Sequence, residues 1–366
     1  MPGDNRYVTP LDRDDWTFAA TSETRFSWQY EDGRDQLLTL YQKGKDKQWD
    51  SVQRIDWDLQ VDPDDVLGTP EKDLALYGSR QWERLGPPQR AELRQHMASW
   101  QFSQFLHGEQ GAMICSARIV ETVPDMDSKF YAATQVMDEA RHAEVFSRFL
   151  NDKIGLAYPI NPNLQALLND ALTDSRWDMP YLGMQVLIEG LALATFGLLR
   201  DRTTKPLPKQ ILTYIMQDEA RHVAFGRLAL RDYYAQLSSK ELAEREDFVI
   251  EGCYLMRDRF QMREVWENLG FDVGECLEYM NRGTRMRAFR SLLFTRIVPC
   301  VRDIGLWGDR VKQAYTDMDV LDLAHNDLVR LMDSDEKLAD DLDAERRELA
   351  ARVAEVDATI TQGVSG

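Results

Sequence analysis

The five residues Asp138-Glu139-Ala140-Arg141-His142 (DEARH) recur unchanged as Asp218-Glu219-Ala220-Arg221-His222. Each copy follows another glutamate, Glu109 or Glu189, with the same spacing of 30 residues between the two glutamates. One Glu-x-x-His occurs by chance in many chains, whereas a doubled five-residue match with equal upstream spacing does not. The repeat therefore predicts two similar structural units.

The spacing within each unit fits a helical hairpin. A helix that rises from Glu109 to Val123 covers about 20 Å at the standard rise per residue. Pro124–Asp127 then indicates a turn, with Asp127 as the expected N-cap of the returning helix. A descent of similar length brings the chain to Glu139 at the height of Glu109.

The second unit repeats this path. We expect a helix from Glu189 to about Leu199, a turn over Asp201–Pro208, and a return helix through Glu219 that continues to about Tyr234. The four helices together predict an all-α bundle.

Two glutamates and two Glu-x-x-His pairs on four helices are the ligand set of a two-metal carboxylate site in a helix bundle. Positions i and i+3 share a helix face, so each pair can bind one ion. Four carboxylates balance two divalent ions, and one imidazole per ion favours iron or manganese over zinc. The predicted metal ligands are Glu109, Glu139, His142, Glu189, Glu219 and His222.

The aspartate before each motif glutamate predicts a supporting network. A metal-binding histidine usually donates its other N–H to a carboxylate or carbonyl. We expect Asp218 to accept from His142 and Asp138 to accept from His222, across the two hairpins. The arginines expected to balance these aspartates are Arg141 and Arg221. The remaining histidines, His96, His107 and His325, lack ligand spacing and are expected to be structural.

Length and charge narrow the class of protein. The chain has 366 residues and a formal net charge of −18, which argues against nucleic acid or an anionic membrane as partner. Four cysteines without a Cys-x-x-Cys pair predict buried thiols in a cytoplasmic protein. The amino terminus lacks the apolar segment of a signal peptide. The apolar segment 181–199 carries Gln185 and Glu189 at its centre, which favours a core helix over a membrane span.

The chain divides into three predicted parts: an aromatic arm that packs on the bundle (1–90), the bundle core (91–236) and additional helices (237–366). A strip of apolar residues in 318–353 is expected to pack on the bundle or on a second subunit of a homodimer. The expected additional helices are Asp35–Lys43, Pro88–Trp100 merging into the first ligand helix, Leu164–Leu172, Glu241–Leu269 and Val273–Ile297.

These motifs resemble the ferritin-like superfamily of diiron carboxylate oxidases, which includes ribonucleotide reductase small subunits, soluble diiron hydroxylases and acyl-carrier desaturases. The resemblance covers about residues 95–235. DEARH matches the D-E-x-R-H form of soluble diiron hydroxylases, and 223–226 (VAFG) is similar to reductase-like oxidases. The segment 40–50 resembles the amino-terminal arms of such oxygenases. The resemblance implies that the six ligands above bind two iron ions, or one manganese and one iron, and that O₂ is a co-substrate.

Several positions depart from the named branches. Phe146 stands where reductase small subunits usually hold their radical tyrosine. Ala112 and Met184 stand where ligand-binding oxidases form a Val–Tyr crosslink. Ile215 replaces the third histidine of aryl-amine N-oxygenases, and Leu193 replaces the active-site threonine of the hydroxylases.

Helical faces also predict a substrate pocket. Side chains three or four positions from a ligand face the same side, and they are mostly apolar, which suits an apolar or aromatic organic substrate. The predicted pocket residues are Phe105, Ala112, Met113, Gln135, Phe146, Gln185, Leu193 and Ile215.

The favoured function is an O₂-activating non-haem diiron oxygenase that hydroxylates, N-oxygenates or desaturates a small organic molecule. Electrons would come from an external donor or reductase, because the sequence carries no flavin or nucleotide fingerprint. Two alternatives stay open. The first is a radical-generating or Mn/Fe oxidase subunit, and the second is an iron-storage ferroxidase.

Overall fold

Helices form the regular secondary structure throughout the computed structural model, which describes residues 16–19, 22–28, 30 and 33–364. These ranges contain no strand, and the expectation of an all-α fold is confirmed. Of the predicted arm (1–90), residues 1–15, 20, 21, 29, 31 and 32 lie outside the described part. The helices are α1 (Asp35–Asp46), α2 (Ser51–Arg54), α3 (Pro87–Thr122), α4 (Met126–Phe149), α5 (Pro162–Thr173), α6 (Glu189–Arg202), α7 (Pro206–Tyr234), α8 (Ser239–Arg259), α9 (Arg263–Asn268), α10 (Val273–Arg282), α11 (Thr284–Leu293), α12 (Ile297–Asp303), α13 (Asp309–Asp317) and α14 (Leu328–Val364).

The first hairpin consists of α3 and α4. Helix α3 is continuous over 36 residues, so the predicted segment Pro88–Trp100 does merge into the first ligand helix. The N-cap of α4 is Asp125, whose side chain accepts from the Ser128 N–H at 2.9 Å. The prediction of Asp127 as N-cap is wrong, because Asp127 lies within the first turn and its carboxylate accepts the backbone N–H of Arg34.

The second hairpin consists of α6 and α7, and its turn is shorter than predicted. Helix α6 continues to Arg202 and α7 begins at Pro206, so only residues 203–205 connect them. Proline suits the first position of a helix because its missing N–H would have no helical partner there. A π-helix, Tyr181–Ile188, leads directly into Glu189.

The π-helix packs tightly against α7 at a glycine. A Cβ atom at Gly226 would lie 2.5 Å from the Cβ of Gln185, closer than two carbon atoms can approach. The missing side chain therefore lets the two backbones approach each other and brings the start of α6 against α7.

Two of the helices predicted after the bundle are interrupted. The expected helix Glu241–Leu269 is interrupted, since α8 ends at Arg259 and Met262 adopts a left-handed φ of 50°. The expected helix Val273–Ile297 is also wrong, because Gly283 has an extended backbone between α10 and α11.

The arm and the carboxyl-terminal helix cover the same side of the bundle. Helix α1 packs on α4 and α7, and α14 packs on α7. The Arg54 guanidinium pairs with Asp343 at 2.6 Å, which ties the arm to α14. Ion pairs also join Lys47 to Asp340 and Arg296 to Asp335. Helix α14, which contains residues 328–353 of the predicted apolar strip, packs on α7, and packing of the strip on a second subunit stays a prediction.

One stretch, Tyr181–Arg202, is long and apolar enough to cross a membrane by length and composition, with a mean hydropathy of 1.7. In the described part of the chain, 78% of its apolar window is buried against other helices. Glu189 lies within the stretch and is itself buried.

Candidate metal centre

The six residues predicted as metal ligands meet at the centre of the bundle. α3 contributes Glu109, α6 contributes Glu189, and each return helix contributes a Glu-x-x-His pair. All six side chains are buried, and the largest exposed fraction is 5%, at Glu109. They form two overlapping groups whose possible ligand atoms lie within 4.8 Å of one another: Glu109, Glu139, His142 and Glu219, and Glu139, Glu189 and His222.

The two histidines point the same ring nitrogen at the carboxylates. Nδ1 of His142 lies 3.3 Å from Glu109, 3.3 Å from Glu139 and 3.1 Å from Glu219. Nδ1 of His222 lies 3.0 Å from Glu139 and 3.6 Å from Glu219. Glu139 and Glu219 therefore each face both histidines, as residues that bridge two ions would.

Unpartnered polar atoms show that this cluster fits metal ions. Oε2 of Glu139, Oε2 of Glu189, Oε1 of Glu219 and Nδ1 of His222 are buried without a hydrogen bond of acceptable geometry. A buried polar atom without a partner costs free energy, whereas coordination to a cation would satisfy it. The donor set of carboxylate oxygens and imidazole nitrogens suits iron and manganese.

Burial and mutual repulsion oppose the ionisation of the glutamates in this cluster. Burial, followed by the charge of Glu219, raises the pKa of Glu109 well above its usual value, and burial likewise raises the pKa of Glu189. Burial opposes ionisation of Glu139 too, but the neighbouring His222 and His142 hold its pKa well below the usual range. Bound cations would replace the protons that otherwise balance these groups.

The far side of each imidazole contacts the aspartate of the other hairpin. Nε2 of His142 lies 3.0 Å from Oδ2 of Asp218, and Nε2 of His222 lies 3.3 Å from Oδ2 of Asp138. Each histidine thus has Nδ1 toward the cluster and Nε2 toward a carboxylate. This arrangement fixes which nitrogen carries the proton and which is free to bind metal.

Both motif arginines lie in the same network. The Arg141 guanidinium donates to Asp138 at 2.5 Å and to Asp218 at 2.8 Å. Arg221 donates to Asp218 and lies 3.7 Å from Asp138. Burial opposes the charge of Asp218, but Arg221 and His142 outweigh it and hold the pKa of this carboxyl well below its usual range.

The amino-terminal arm completes the network, which the sequence reasoning missed. Trp49 donates its indole N–H to Asp218 at 2.8 Å, and Gln48 donates to Asp138 at 2.7 Å. Gln48 also accepts from Arg141 at 2.8 Å. The only signal was the resemblance of 40–50 to the arms of other oxygenases, which did not say what the arm contacts.

Gln135 was predicted to line a pocket, but it contacts the cluster itself. Its amide donates to Glu139 at 3.0 Å and to Glu189 at 2.7 Å, and the side chain has no solvent exposure. Gln135 therefore positions one carboxylate from each hairpin.

Two other predicted pocket residues belong to a cluster of phenylalanines beside the metal centre. The rings of Phe105 and Phe146 lie 5.6 Å apart, and Phe196 contacts both, at 4.6 Å and 5.8 Å. Phe102 and Phe149 complete the cluster. Close packing of these rings fills the space on this side of the carboxylates.

The structure also buries most of the remaining predicted pocket residues. Ala112, Leu193 and Ile215 are at most 3% exposed, Gln185 packs at Gly226, and Met113 is partly exposed. A cavity of about 800 Å³ lies elsewhere, and none of the eight predicted residues lines it. Spacing along a helix identified which side chains share a face, but not which of them leave space.

The three other histidines are not in the ligand cluster within the described part of the chain. His96 Nδ1 lies 2.6 Å from the Tyr158 hydroxyl, and His107 Nε2 lies 2.8 Å from the Tyr158 carbonyl oxygen. Burial lowers the pKa of His96 to about 4.

Comparison with known proteins identifies one family. The model of the family described as P-aminobenzoate N-oxygenase AurF matches residues 31–305. Among solved structures, the chain is similar to an R2-like ligand-binding oxidase with an aerobically reconstituted Mn/Fe cofactor. That match has 16% identity and a TM-score of 0.40, and it covers 82% of this chain and 93% of the other. No sequence among the curated proteins matches the chain.

Proposed function

The chain belongs to the P-aminobenzoate N-oxygenase AurF family, and from that membership we propose that it oxygenates the nitrogen of an aromatic amine. It is an O₂-using oxidoreductase with a dimetal centre. The expectation of a diiron oxygenase is confirmed at that level, and the choice of N-oxygenation over hydroxylation or desaturation is the proposal. Ile215 stands where aryl-amine N-oxygenases have a third histidine, so the proposal rests on six ligands rather than seven. The match covers both DEARH motifs and the arm that contacts them.

The family match carries the choice of N-oxygenation, and the buried cluster of four glutamates and two histidines with unpartnered ligand atoms supports the dimetal centre that this reaction needs. When bound, two metal ions would supply the redox chemistry and the activation of O₂. Glu109, Glu139, Glu189 and Glu219 would hold the ions through carboxylate oxygens. His142 and His222 would bind through Nδ1, because their Nε2 atoms face the aspartates.

Residues around the cluster have two tasks. Gln135 and the aspartate–arginine network hold the ligands in place. The phenylalanines of α3, α4 and α6 exclude water from their side of the cluster. The ring centroids of Phe105 and Phe196 lie 4.6 Å apart. Exclusion of water protects a reactive centre from side reactions.

Phe146 supports an oxygenase rather than a radical-generating subunit. A tyrosine at this position would offer a hydroxyl hydrogen, whereas phenylalanine has none to lose. The Phe146 ring has no solvent exposure and packs on Phe102, Phe105 and Phe196.

The proposal is tested with protein loaded anaerobically with ferrous iron and then mixed with O₂, a chemical or enzymatic reductant and 4-aminobenzoate. We expect the hydroxylamine, nitroso or nitro product by mass spectrometry. A panel of aromatic amines with larger substituents extends the test to other substrates. The control is Glu139→Ala, which removes a carboxylate shared by both candidate ligand groups and should give no product.

The outcome separates the alternatives. Ring-hydroxylated or desaturated products without oxidation at nitrogen would contradict N-oxygenation and leave the oxygenase class intact. Iron uptake far beyond two ions per chain, with no organic product, would favour storage. The test is then repeated with protein loaded with one manganese and one iron, because the ligand set suits both metals.

Two further expectations belong to the proposal. The electron donor is external, since the sequence carries no flavin or nucleotide fingerprint. We place the protein in the cytoplasm because its four cysteines are all buried and unpaired, as in a reducing compartment.

A further inference from the structure

A cavity of about 800 Å³ opens at one end of the bundle, away from the metal centre. Its walls are the first half of α3, the end of α6, residues 65–81, and α10 and α11. Its volume falls in the range of sites for drug-sized ligands. Most of its lining is apolar, with Trp100, Phe260, Met280 and Phe289 among the large side chains.

Part of the cavity wall on α3 lies on the helix face that carries Glu109, and Met97 and Trp100 extend the wall around the helix away from that face. On α3, Arg94, Ala98 and Gln101 line the cavity, and Phe105 and Glu109 follow at spacings of four residues. These spacings keep all five positions on one side of the helix. At the standard rise, Gln101 lies about 12 Å along the axis from Glu109.

Along α6 the metal ligand comes first, a phenylalanine follows, and the cavity-lining residue comes last, which is the reverse of the order along α3. Glu189 lies in the metal cluster, Phe196 lies two turns later, and Leu199 lines the cavity. The contact between Phe105 and Phe196, at 4.6 Å between ring centroids, therefore lies between the cavity and the carboxylates on both helices.

The charges of the cavity wall are mostly paired. Lys205 pairs with Asp65 at 3.1 Å, Arg80 with Glu275 at 3.6 Å, and Arg282 with Glu278 at 2.5 Å. Because these acids are paired, they add little net negative charge to the wall. Asp73 has no ion-pair partner in the described part of the chain, and its side chain is exposed.

Arg94 and Arg202 line the cavity without an ion pair to a described residue, and of the two Arg202 is exposed whereas Arg94 is partly buried. The Nε of Arg94 is buried without a hydrogen-bond acceptor. No carboxylate of a described residue pairs with it. A guanidinium beside an apolar cavity, without a carboxylate partner in the described part of the chain, matches a carboxylate ligand by charge and by its planar pair of N–H groups.

We propose that this cavity is a capture chamber for the substrate, in which Arg94 binds a carboxylate and the apolar wall binds an aromatic body larger than one ring. The Phe105–Phe196 contact separates the chamber from the metal centre and must open for transfer. That the bound ligand is then oxygenated at the metal centre rests on the proposed function. The chamber's selectivity for an apolar anion rests on the cavity alone.

The test measures binding to the iron-loaded protein by isothermal titration calorimetry. The probes are 4′-aminobiphenyl-4-carboxylate and its uncharged carboxamide. We expect Arg94→Gln to weaken binding of the carboxylate on the order of tenfold to a hundredfold, the range for a hydrogen bond between charged groups. Binding of the carboxamide should change little.

Two further variants make the test specific. Arg282→Gln removes a cation from the same wall whose charge Glu278 already balances, so carboxylate binding should stay within about twofold. Ala288→Trp places a large side chain at the exposed rim and should weaken both probes. Equal carboxylate binding in wild type and Arg94→Gln, or an equal loss in Arg282→Gln, would overturn the chamber. Unchanged binding of both probes in Ala288→Trp would overturn it as well.

Turnover separates this inference from the proposed function. Binding that depends on Arg94, without an oxidised nitrogen product, would contradict N-oxygenation and keep the chamber. Turnover with an unchanged KM in Arg94→Gln would keep N-oxygenation and reject the chamber. For the carboxylate, we expect Arg94→Gln to raise KM and to leave kcat nearly unchanged, because Arg94 lies far from the reacting atoms.

Discussion

Nε2 of His142 lies 3.0 Å from Oδ2 of Asp218, although the two residues belong to different hairpins and different copies of the DEARH motif. The reciprocal pair is His222 and Asp138, at 3.3 Å. Each copy thus supplies the support for the histidine of the other. Two hairpins joined in this way form one site, and neither hairpin contains a complete site.

Asp218→Asn tests this reciprocal support. An amide in place of the carboxylate no longer favours a proton on Nε2, so we expect metal affinity or turnover to fall 10- to 100-fold. Measurement of iron affinity by competition with a chelator gives the result. Asp232→Asn, at an exposed position of the same helix, is the control and should bind iron as wild type does. Full affinity in both Asp218→Asn and Asp138→Asn would contradict the prediction.

Glu139→Ala and His222→Ala test the ligands themselves. Glu139 faces both histidines, so its loss should remove a ligand from both parts of the cluster and abolish O₂ consumption. Metal analysis should give fewer than two ions per chain. Glu144→Ala, on the same helix and outside the cluster, should still bind two ions. Two tightly bound ions in Glu139→Ala would show that other residues form the site.

Gly226→Ala should destabilise the protein because the new methyl group would meet the Cβ of Gln185 at 2.5 Å. A Cβ atom cannot rotate away, so the π-helix or α7 must shift, at a cost of about 1–3 kcal/mol. Gly197→Ala is a matched helical control. Its methyl would meet only the flexible end of Met216 at 3.3 Å, and alanine favours the helix. Urea unfolding of both variants checks the difference, and equal midpoints would contradict it.

His96 should contribute to loss of stability in acid. Burial lowers its pKa to about 4 in the folded chain, against 6.5 for an unperturbed histidine. Between these values the unfolded state binds more protons, so the free energy of unfolding falls as pH falls from about 6.5 to 4. His96→Gln should show a smaller loss over that window in urea titrations. An identical slope in both proteins would mean that His96 does not titrate in this way.

Metal loading should raise the thermal midpoint. Ions that bind the folded cluster and not the unfolded chain stabilise the fold, by about 2.7 kcal/mol at a hundredfold excess over Kd. Calorimetry with and without ferrous iron under nitrogen measures the shift. His222→Ala should show a much smaller shift, and an equal shift in this variant would place the bound iron elsewhere.

The sequence alone determined the two hairpins and which side chains meet at their centre. Equal spacing of Glu109 and Glu189 from the DEARH motifs fixes the height of each carboxylate, because helix rise per residue is constant. The repeat also indicated that each aspartate belongs to the histidine of the other hairpin. These features depend on local helical geometry and on the need to compensate buried charge.

Only the tertiary structure decided where space remains. Phe105 and Phe146 share faces with metal ligands, yet they pack against Phe196. The cavity begins at Gln101, one turn before Phe105 on α3. The contacts of Trp49 with Asp218 and of α14 with the arm likewise join residues more than a hundred positions apart. Helical periodicity gives the direction of a side chain, whereas a void or a long-range contact depends on the volumes of all the side chains that pack around it.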